Sequence, residues 1–445
     1  MVNNLTTQEK LQNYLDEIEK HDKRNNSINA FLYLNPHAIE QSKEVDKKIK
    51  DNKAGKLAGK IISIKSNLCV ENLPASCASK TLENYKSPYN AEVVQRLIDE
   101  DAVIIGMTNM DEFASGSSGE TSYFGPTKNP RALELIPGGS SSGPAASVAA
   151  NFCDIAIGSD TGGSLRNPAS HCGLIGLKPT YSLVSRYGLI DLAMSTDTIG
   201  PLTKNIHDAA KILKIISGHD NKDAICQKDI EINLKKIEET PKDITIGILD
   251  FEIPDKNIQK LIEEKIKKAT EKYNWKTKKI KIDKIDLAIE TYYPIVYVEA
   301  FSGTRKLDGR RFGEKIEESC GPEFLRRILG GQEISLAEYG GRYYSKAQTA
   351  RQIIENEFKE AFKKCDFIIC PTVPRLPHKV GGQISVEEMY AYDVLTVPFS
   401  LARVPCISIP AGEIEKVPVG MQIACNQFED EKMLQIARCF EKLDE

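Results

Sequence analysis

Five short aliphatic runs punctuate the chain: KIISIK (60–65), AVIIG (102–106), DIAIG (154–158), DITIGILD (243–250) and DFIIC (366–370). Between them the apolar positions fall at helical spacing. Val93, Val94, Leu97 and Ile98 make one helical face before AVIIG, and Ala209, Ala210, Leu213 and Ile216 make another after TKN (203–205). Runs of strand length alternating with amphipathic helices predict an α/β fold, with a mixed, largely parallel, twisted sheet covered by helices on both faces. From about residue 219 to 290 the chain becomes rich in Lys and Glu. The stretch IQKLIEEKIKKATEKY (258–273) predicts a surface helix with a solvated charged side, contact with a partner or RNA being the alternative.

Composition narrows this picture. The 445 residues, 41% hydrophobic and with a formal charge of −4, suffice for a large core. Length alone suggests about three domains, but no long Pro-, Ser- or charge-rich spacer divides the chain. A single domain over 1–445 is expected, with an amphipathic helical segment of about 1–55 packed on it. Eleven cysteines, an odd number with no CxxC pair, point to reduced thiols and hence to the cytoplasm. No stretch approaches the roughly 20 apolar residues of a membrane span. The near-neutral charge argues against broad nucleic-acid binding by this chain alone.

The tract PGGSSSGPAASVAA (137–150) resembles a linker at first sight, yet it runs directly into Ala145, Ala146, Val148 and Ala149 and so opens a buried helix. It lacks the GK[ST] ending of a P-loop and the GxGxxG of a dinucleotide fingerprint. A second concentration, GSDTGGSLRNPAS (158–170), follows the DIAIG strand. There Gly162 and Gly163 let the N–H groups of Thr161 to Ser164 converge on one point, as an oxyanion hole requires, with Ser164 where a nucleophile would stand. In isolation the same GGS reads as a glycine turn ending in a helix-capping serine. None of the six histidines forms a constellation with Ser164; His171, in ASHCG, sits in a turn-like context. Lys65, which ends KIISIK on the face opposite Ile62 and Ile64, offers another base, although a lone lysine is ordinarily a solvated charge.

Together, Lys65, GGSSSG and GSDTGGS resemble the amidase signature family, whose triad is Ser, cis-Ser and Lys. Ser140 stands 24 residues before Ser164, the interval of that family. The resemblance implies Ser164 as acylated nucleophile, Ser140 as relaying serine across a cis Gly139–Ser140 peptide, and Lys65 as base. Such a lysine must be neutral to accept a proton, so its pKa has to fall by roughly three units from about 10.4, which calls for burial beside no strong anion. The stretches 106–130 and 343–358 are similar to the branch of the family that serves tRNA-dependent amidotransferases, and the similarity runs from about residue 8 to the C-terminus. This branch implies hydrolysis of glutamine to glutamate and ammonia, with the B and C subunits of the amidotransferase as partners. Mischarged tRNA is reached through the complex. ATP and Mg are used by the B partner to convert Glu-tRNA(Gln) and/or Asp-tRNA(Asn); no cofactor or metal is expected in this chain. Arg351 in TARQII and Asp393 in YAYDVLTVP match family positions that hold the α-carboxylate and α-ammonium of glutamine. A stand-alone amidase of the family is the alternative, and a third reading is a non-catalytic scaffold. The chain departs from the family pattern at Ser142, Ser66 and Arg403, and Glu314 stands after Phe312-Gly313 where the family carries a tyrosine.

Overall fold

The computed structural model describes residues 5–22, 27–336 and 340–445. Eleven strands form one continuous sheet: β1 (Phe31–Leu34), β2 (Ile61–Lys65), β3 (Val103–Thr108), β4 (Ile155–Asp160), β5 (Ile175–Lys178), β6 (Thr198–Thr203), β7 (Thr245–Leu249), β8 (Lys276–Ile280), β9 (Phe367–Pro371), β10 (Cys406–Ile414) and β11 (Val417–Ala424). Their order across the sheet is β1-β3-β2-β4-β6-β5-β10-β11-β9-β7-β8. All five apolar runs are strands. Those of β2, β3 and β4 are buried throughout, as strands sandwiched between helices must be.

The sheet is mixed as expected, but it is not largely parallel. Only β3-β2-β4 and β9-β7-β8 pair in parallel. The pairings from β4 through β6, β5, β10 and β11 to β9 are antiparallel, as is β1 with β3. The apolar runs belong to the parallel parts, where helical crossovers intervene. In the antiparallel centre, β10 and β11 join instead through a two-residue turn with Glu415 and Lys416 both at positive φ.

The N-terminal segment also differs from expectation. Its two helices, Thr7–His21 and Ala38–Lys50, flank strand β1, which adds an edge to the sheet; positions 1–4 and 23–26 of the segment lie outside the described residues. The first helix starts at a reciprocal capping box of Thr6 and Glu9.

Period-two alternation divides β2 between two cores. Ile62 and Ile64 join the large cluster under the helices Glu92–Asp99, Ile206–Ile216 and Asp430–Glu441. Ile61 faces the opposite side, with the helices Ser142–Ala149 and Arg166–Cys172, and Ser63 on that face meets Ser147 at 2.9 Å. Lys65 therefore ends its strand on the side where the Gly/Ser tract lies. The helices Ala288–Thr304, Pro322–Ile334 and Arg342–Phe362 bury a further core around Tyr292, Tyr293 and Phe324. The Lys- and Glu-rich stretch forms the surface helix Lys256–Tyr273, seated by Ile258, Ile262, Ile266 and Ala269. Among the described residues, no helix is long and apolar enough to cross a membrane.

Candidate active site

Lys65 is completely buried at the C-terminal end of β2. Its Nζ donates to Ser140 Oγ at 2.8 Å, to Ser159 Oγ at 3.0 Å and to the Ser159 carbonyl at 3.4 Å. Every acceptor is neutral. Burial lowers its pKa to about 7, against the opposing charges of Asp111, Asp160 and Asp197. These three carboxylates lie close enough to act on Lys65, so the surroundings are not free of anions. Each is already held by other donors. Asp111 accepts from the Gly119 and Thr121 amides and the Thr121 hydroxyl. Asp197 accepts from Thr161 Oγ1 at 2.6 Å and from the Leu192 and Ala193 amides. Asp160 is paired with Arg166, whose Nε and one terminal nitrogen reach it at 3.0 and 2.9 Å.

The Gly/Ser tract packs as a wall and not as a linker. Gly138 has φ +80° and the Gly139–Ser140 peptide is cis. A Cβ on Gly139 would lie 2.0 Å from Asp111 Oδ2, so no other residue fits there. Ser141 then ties the two serine segments together. Its amide donates to the Ser164 carbonyl at 3.2 Å and its hydroxyl to the Ser159 carbonyl at 3.1 Å, and the buried helix Ser142–Ala149 begins.

Ser164 follows β4 on the turn Thr161–Gly163 and is 7% exposed. Gly163, at φ +149°, passes so close to Thr396 that a Cβ would meet its Oγ1 at 2.4 Å. After the turn, Asp160 accepts the Leu165 amide at 3.0 Å, and Arg166 spreads its guanidinium over Asp160, the Thr396 carbonyl, Gln422 and Ser400. Thr161, Gly162 and Gly163 are thus fixed between β4 and the segment around Thr396. The structure brings Lys65 onto Ser140 directly, and Ser140 beside Ser164 through the backbone; among the described residues the two serine hydroxyls do not hydrogen-bond each other. His171 is not in a turn. It lies fully buried in the helix Arg166–Cys172, where burial lowers its pKa to about 3 and keeps it neutral.

Asp393 accepts the Ser117 hydroxyl with both oxygens, at 2.9 and 3.0 Å, and the Tyr293 hydroxyl at 3.3 Å. Burial raises its pKa to about 7, opposed by these donors and by the charge of Arg327. Arg351 stands elsewhere. It is buried with its guanidinium on the Ser195 hydroxyl and carbonyl and the Leu401 carbonyl, and its charged neighbours are Arg403, Glu299 and Glu355. The cation that shares a cluster with Asp393 is Arg327. It is 5% exposed, lies over the Tyr293 ring at 5.7 Å, and is anchored through Nε to Glu323 at 3.0 Å. Sequence reasoning missed Arg327, Tyr293 and Ser117. The one signal for Arg327 is a second arginine in EFLRRILG on the helix face shared with Phe324 and Ile328, where an apolar residue is expected. Glu314 is half exposed, 3.9 Å from Lys80 at the surface, and belongs to neither cluster.

The family described as Amidase matches residues 9–434. The A subunit of the glutamyl-tRNA(Gln) amidotransferase of Methanocaldococcus jannaschii is 50% identical over 442 residues, covering 98% of this chain and 99% of that protein. The crystal structure of the A subunit of the glutamyl-tRNA(Gln) amidotransferase of Thermotoga maritima is similar with a TM-score of 0.81 at 37% identity, covering 99% of this chain and 94% of that one. The native peptide amidase of Stenotrophomonas maltophilia is similar at 25% identity with a TM-score of 0.83, over 98% and 93% of the two chains.

Proposed function

The chain belongs to the amidase family, and from that premise we propose that it is the glutamine-hydrolysing subunit of a tRNA-dependent amidotransferase. The observation that carries the amidase chemistry is the 2.8 Å contact between a buried Lys65 and Ser140, with no carboxylate among the described residues bonded to that lysine. A lysine so placed titrates near neutrality and can hold or release a proton at Nζ.

Ser164 Oγ attacks the carboxamide carbon of glutamine as Ser140 takes its proton and passes its own to neutral Lys65. The developing oxyanion is received by N–H groups of Thr161 to Ser164, held rigid by Asp160, Asp197 and Thr396. One such donor is worth about 2.7–4 kcal/mol of barrier. The proton returns to the leaving nitrogen, ammonia departs, and water repeats the sequence on the acyl-serine to release glutamate. For the amino-acid end, Asp393 receives the α-ammonium. Arg327 in place of Arg351 receives the α-carboxylate, because only Arg327 shares the Asp393 cluster; among the described residues its two terminal nitrogens have no acceptor.

Two of the relatives named above, those of Methanocaldococcus jannaschii and Thermotoga maritima, are A subunits of glutamyl-tRNA(Gln) amidotransferases. By that likeness the ammonia passes to partner subunits in the cytoplasm, where ATP and Mg activate Glu-tRNA(Gln) and/or Asp-tRNA(Asn). Removal of one hydroxyl tests the reading. Ser164→Ala should lose glutaminase activity and glutamine-dependent transamidation while the complex keeps ammonia-dependent transamidation. Wild-type glutamine hydrolysis by that variant would overturn it.

A further inference from the structure

His378 joins three segments that converge on the Asp393 cluster. Its Nε2 meets Glu120 Oε2 at 3.0 Å, and its Nδ1 meets the Tyr392 hydroxyl at 2.9 Å. Its carbonyl accepts the Ile136 amide at 3.0 Å. A carboxylate only accepts, so Nε2 carries the proton toward Glu120, and in the neutral ring Nδ1 takes the Tyr392 hydroxyl. The other oxygen of Glu120 accepts the Gly381 amide at 2.7 Å, which fastens the same loop a second time.

Each end of this chain of contacts adjoins a working residue. Glu120 lies three residues beyond Ser117, the donor to both oxygens of Asp393, and between them Gly119 donates to Asp111. Tyr392 is completely buried and immediately precedes Asp393. Its ring is fixed by His171 at 5.7 Å and by Arg375 at 5.2 Å. Ile136 leads into the tract that carries Ser140. Glu120 also shares the wall of a cavity of about 480 Å³ with Glu323, the residue that anchors Arg327. The bridge is one of several ties on the two loops that set the register of Ser117 against Asp393: the Ser117 carbonyl also accepts from Asn167 Nδ2 at 3.2 Å and the Leu395 carbonyl from Gln422 Nε2 at 3.0 Å, while on the side of the bridge the helix Val386–Ala391 has no buried residue.

We propose that His378, acting through Glu120 and Tyr392, is the positioning residue that sets the Ser117–Asp393 pair and thereby the selection of an amide bearing an α-ammonium over the same amide without one. The inference rests on the reading of Asp393 as the α-ammonium anchor. His378 touches neither substrate nor triad. Its loss loosens one subsite and leaves Lys65, Ser140 and the oxyanion turn in place.

The test compares two substrates on the full chain purified with its partner subunits. Glutamine and glutaramate share the carboxamide and the distal carboxylate, but glutaramate lacks the α-amino group. In His378→Phe, kcat/KM for glutamine should fall about tenfold, the change residing in KM, while that for glutaramate stays at the wild-type value. His378→Gln, whose amide can donate to Glu120 and accept from Tyr392, should recover most of the loss. Tyr392→Phe deletes one oxygen atom and decides the same comparison if the histidine variants do not fold. Equal losses for the two substrates, or no loss for glutamine, would overturn the proposal. A wild-type protein that does not prefer glutamine to glutaramate would overturn the α-ammonium subsite itself, and this inference with it, while a preference that survives every variant would overturn the bridge alone.

Discussion

Two cations are completely buried beside the reacting serines, Lys65 on the Ser140 hydroxyl and Arg166 just after Ser164 in the chain, and they have been given opposite surroundings. Arg166 meets Asp160 with two nitrogens and spends its other donors on the Thr396 carbonyl, Gln422 and Ser400. Lys65 meets two serine hydroxyls and a carbonyl. Burial penalises both charges. For Arg166 the penalty is more than offset by its bonded carboxylate, and its pKa stays above the ordinary value. For Lys65 the nearby carboxylates are engaged by other donors and none is bonded to it among the described residues, so burial prevails and its pKa falls to about 7. Depth in the protein is the same for the two; the bonded partner decides which is a permanent brace and which can exchange a proton.

The largest test exchanges the two characters. Lys65→Arg keeps a positive charge but cannot be deprotonated, so acylation should fall roughly 10⁴-fold, as should that of Lys65→Ala. Rapid-quench measurement of acylation checks this, and near-wild-type rates for the arginine variant would make Lys65 an electrostatic brace like Arg166. Stability should move in opposite directions for one and the same substitution. Arg166→Met strands Asp160 in the core and should cost about 3–5 kcal/mol. Lys65→Met removes a cation whose burial disfavours the fold at pH 7 and should stabilise by about 1–3 kcal/mol while abolishing activity. Denaturant midpoints at pH 7 read both signs.

The pH dependence follows from the lowered lysine pKa. Neutral Lys65 is the competent base, so acylation at saturating glutamine should rise about tenfold per pH unit below 7 and level off above it. In stability the unfolded chain binds more protons between pH 7 and the ordinary lysine range, so the penalty from Lys65 is full below pH 7 and relaxes as pH rises. A rate independent of pH between 5 and 8 would contradict the contrast with Arg166. The smallest effect extends the comparison to a second pair of arginines. Arg327→Lys loses a planar two-bond contact to a carboxylate and should raise the KM for glutamine about tenfold, whereas Arg351→Lys, which faces Ser195 and Leu401, should change it by less than about threefold.

The primary chain carried more of the triad than of its setting. Lys65, Ser140 and Ser164 stand out because glycines, serines and a strand-ending lysine form local patterns. The five apolar runs gave their strands for the same local reason. β5, β6, β10 and β11 are recognisable only through their pairing, which depends on long-range register, and so the balance of parallel and antiparallel strands was not readable. FLYL at β1 is too short to separate from the helices around it. Asp160 and Arg166 become a pair only when the turn at Gly162 and Gly163 folds them together. Arg351 and Arg327 are alike as letters; three-dimensional proximity to Asp393 distinguishes them.

The antiparallel seam of β5 with β10, where Lys178 pairs with Cys406, also has a meaning during synthesis. A ribosome that has emitted the N-terminal strands exposes β5 as an open sheet edge until β10 emerges. At translation speeds of about 5–20 residues per second that wait lasts roughly 10–45 s. An unpaired strand edge held so long at the exit tunnel is a site for wrong partners and for chaperone capture. Yield of the nascent chain should therefore respond to substitutions along the β5 edge well before the stability of the finished protein does.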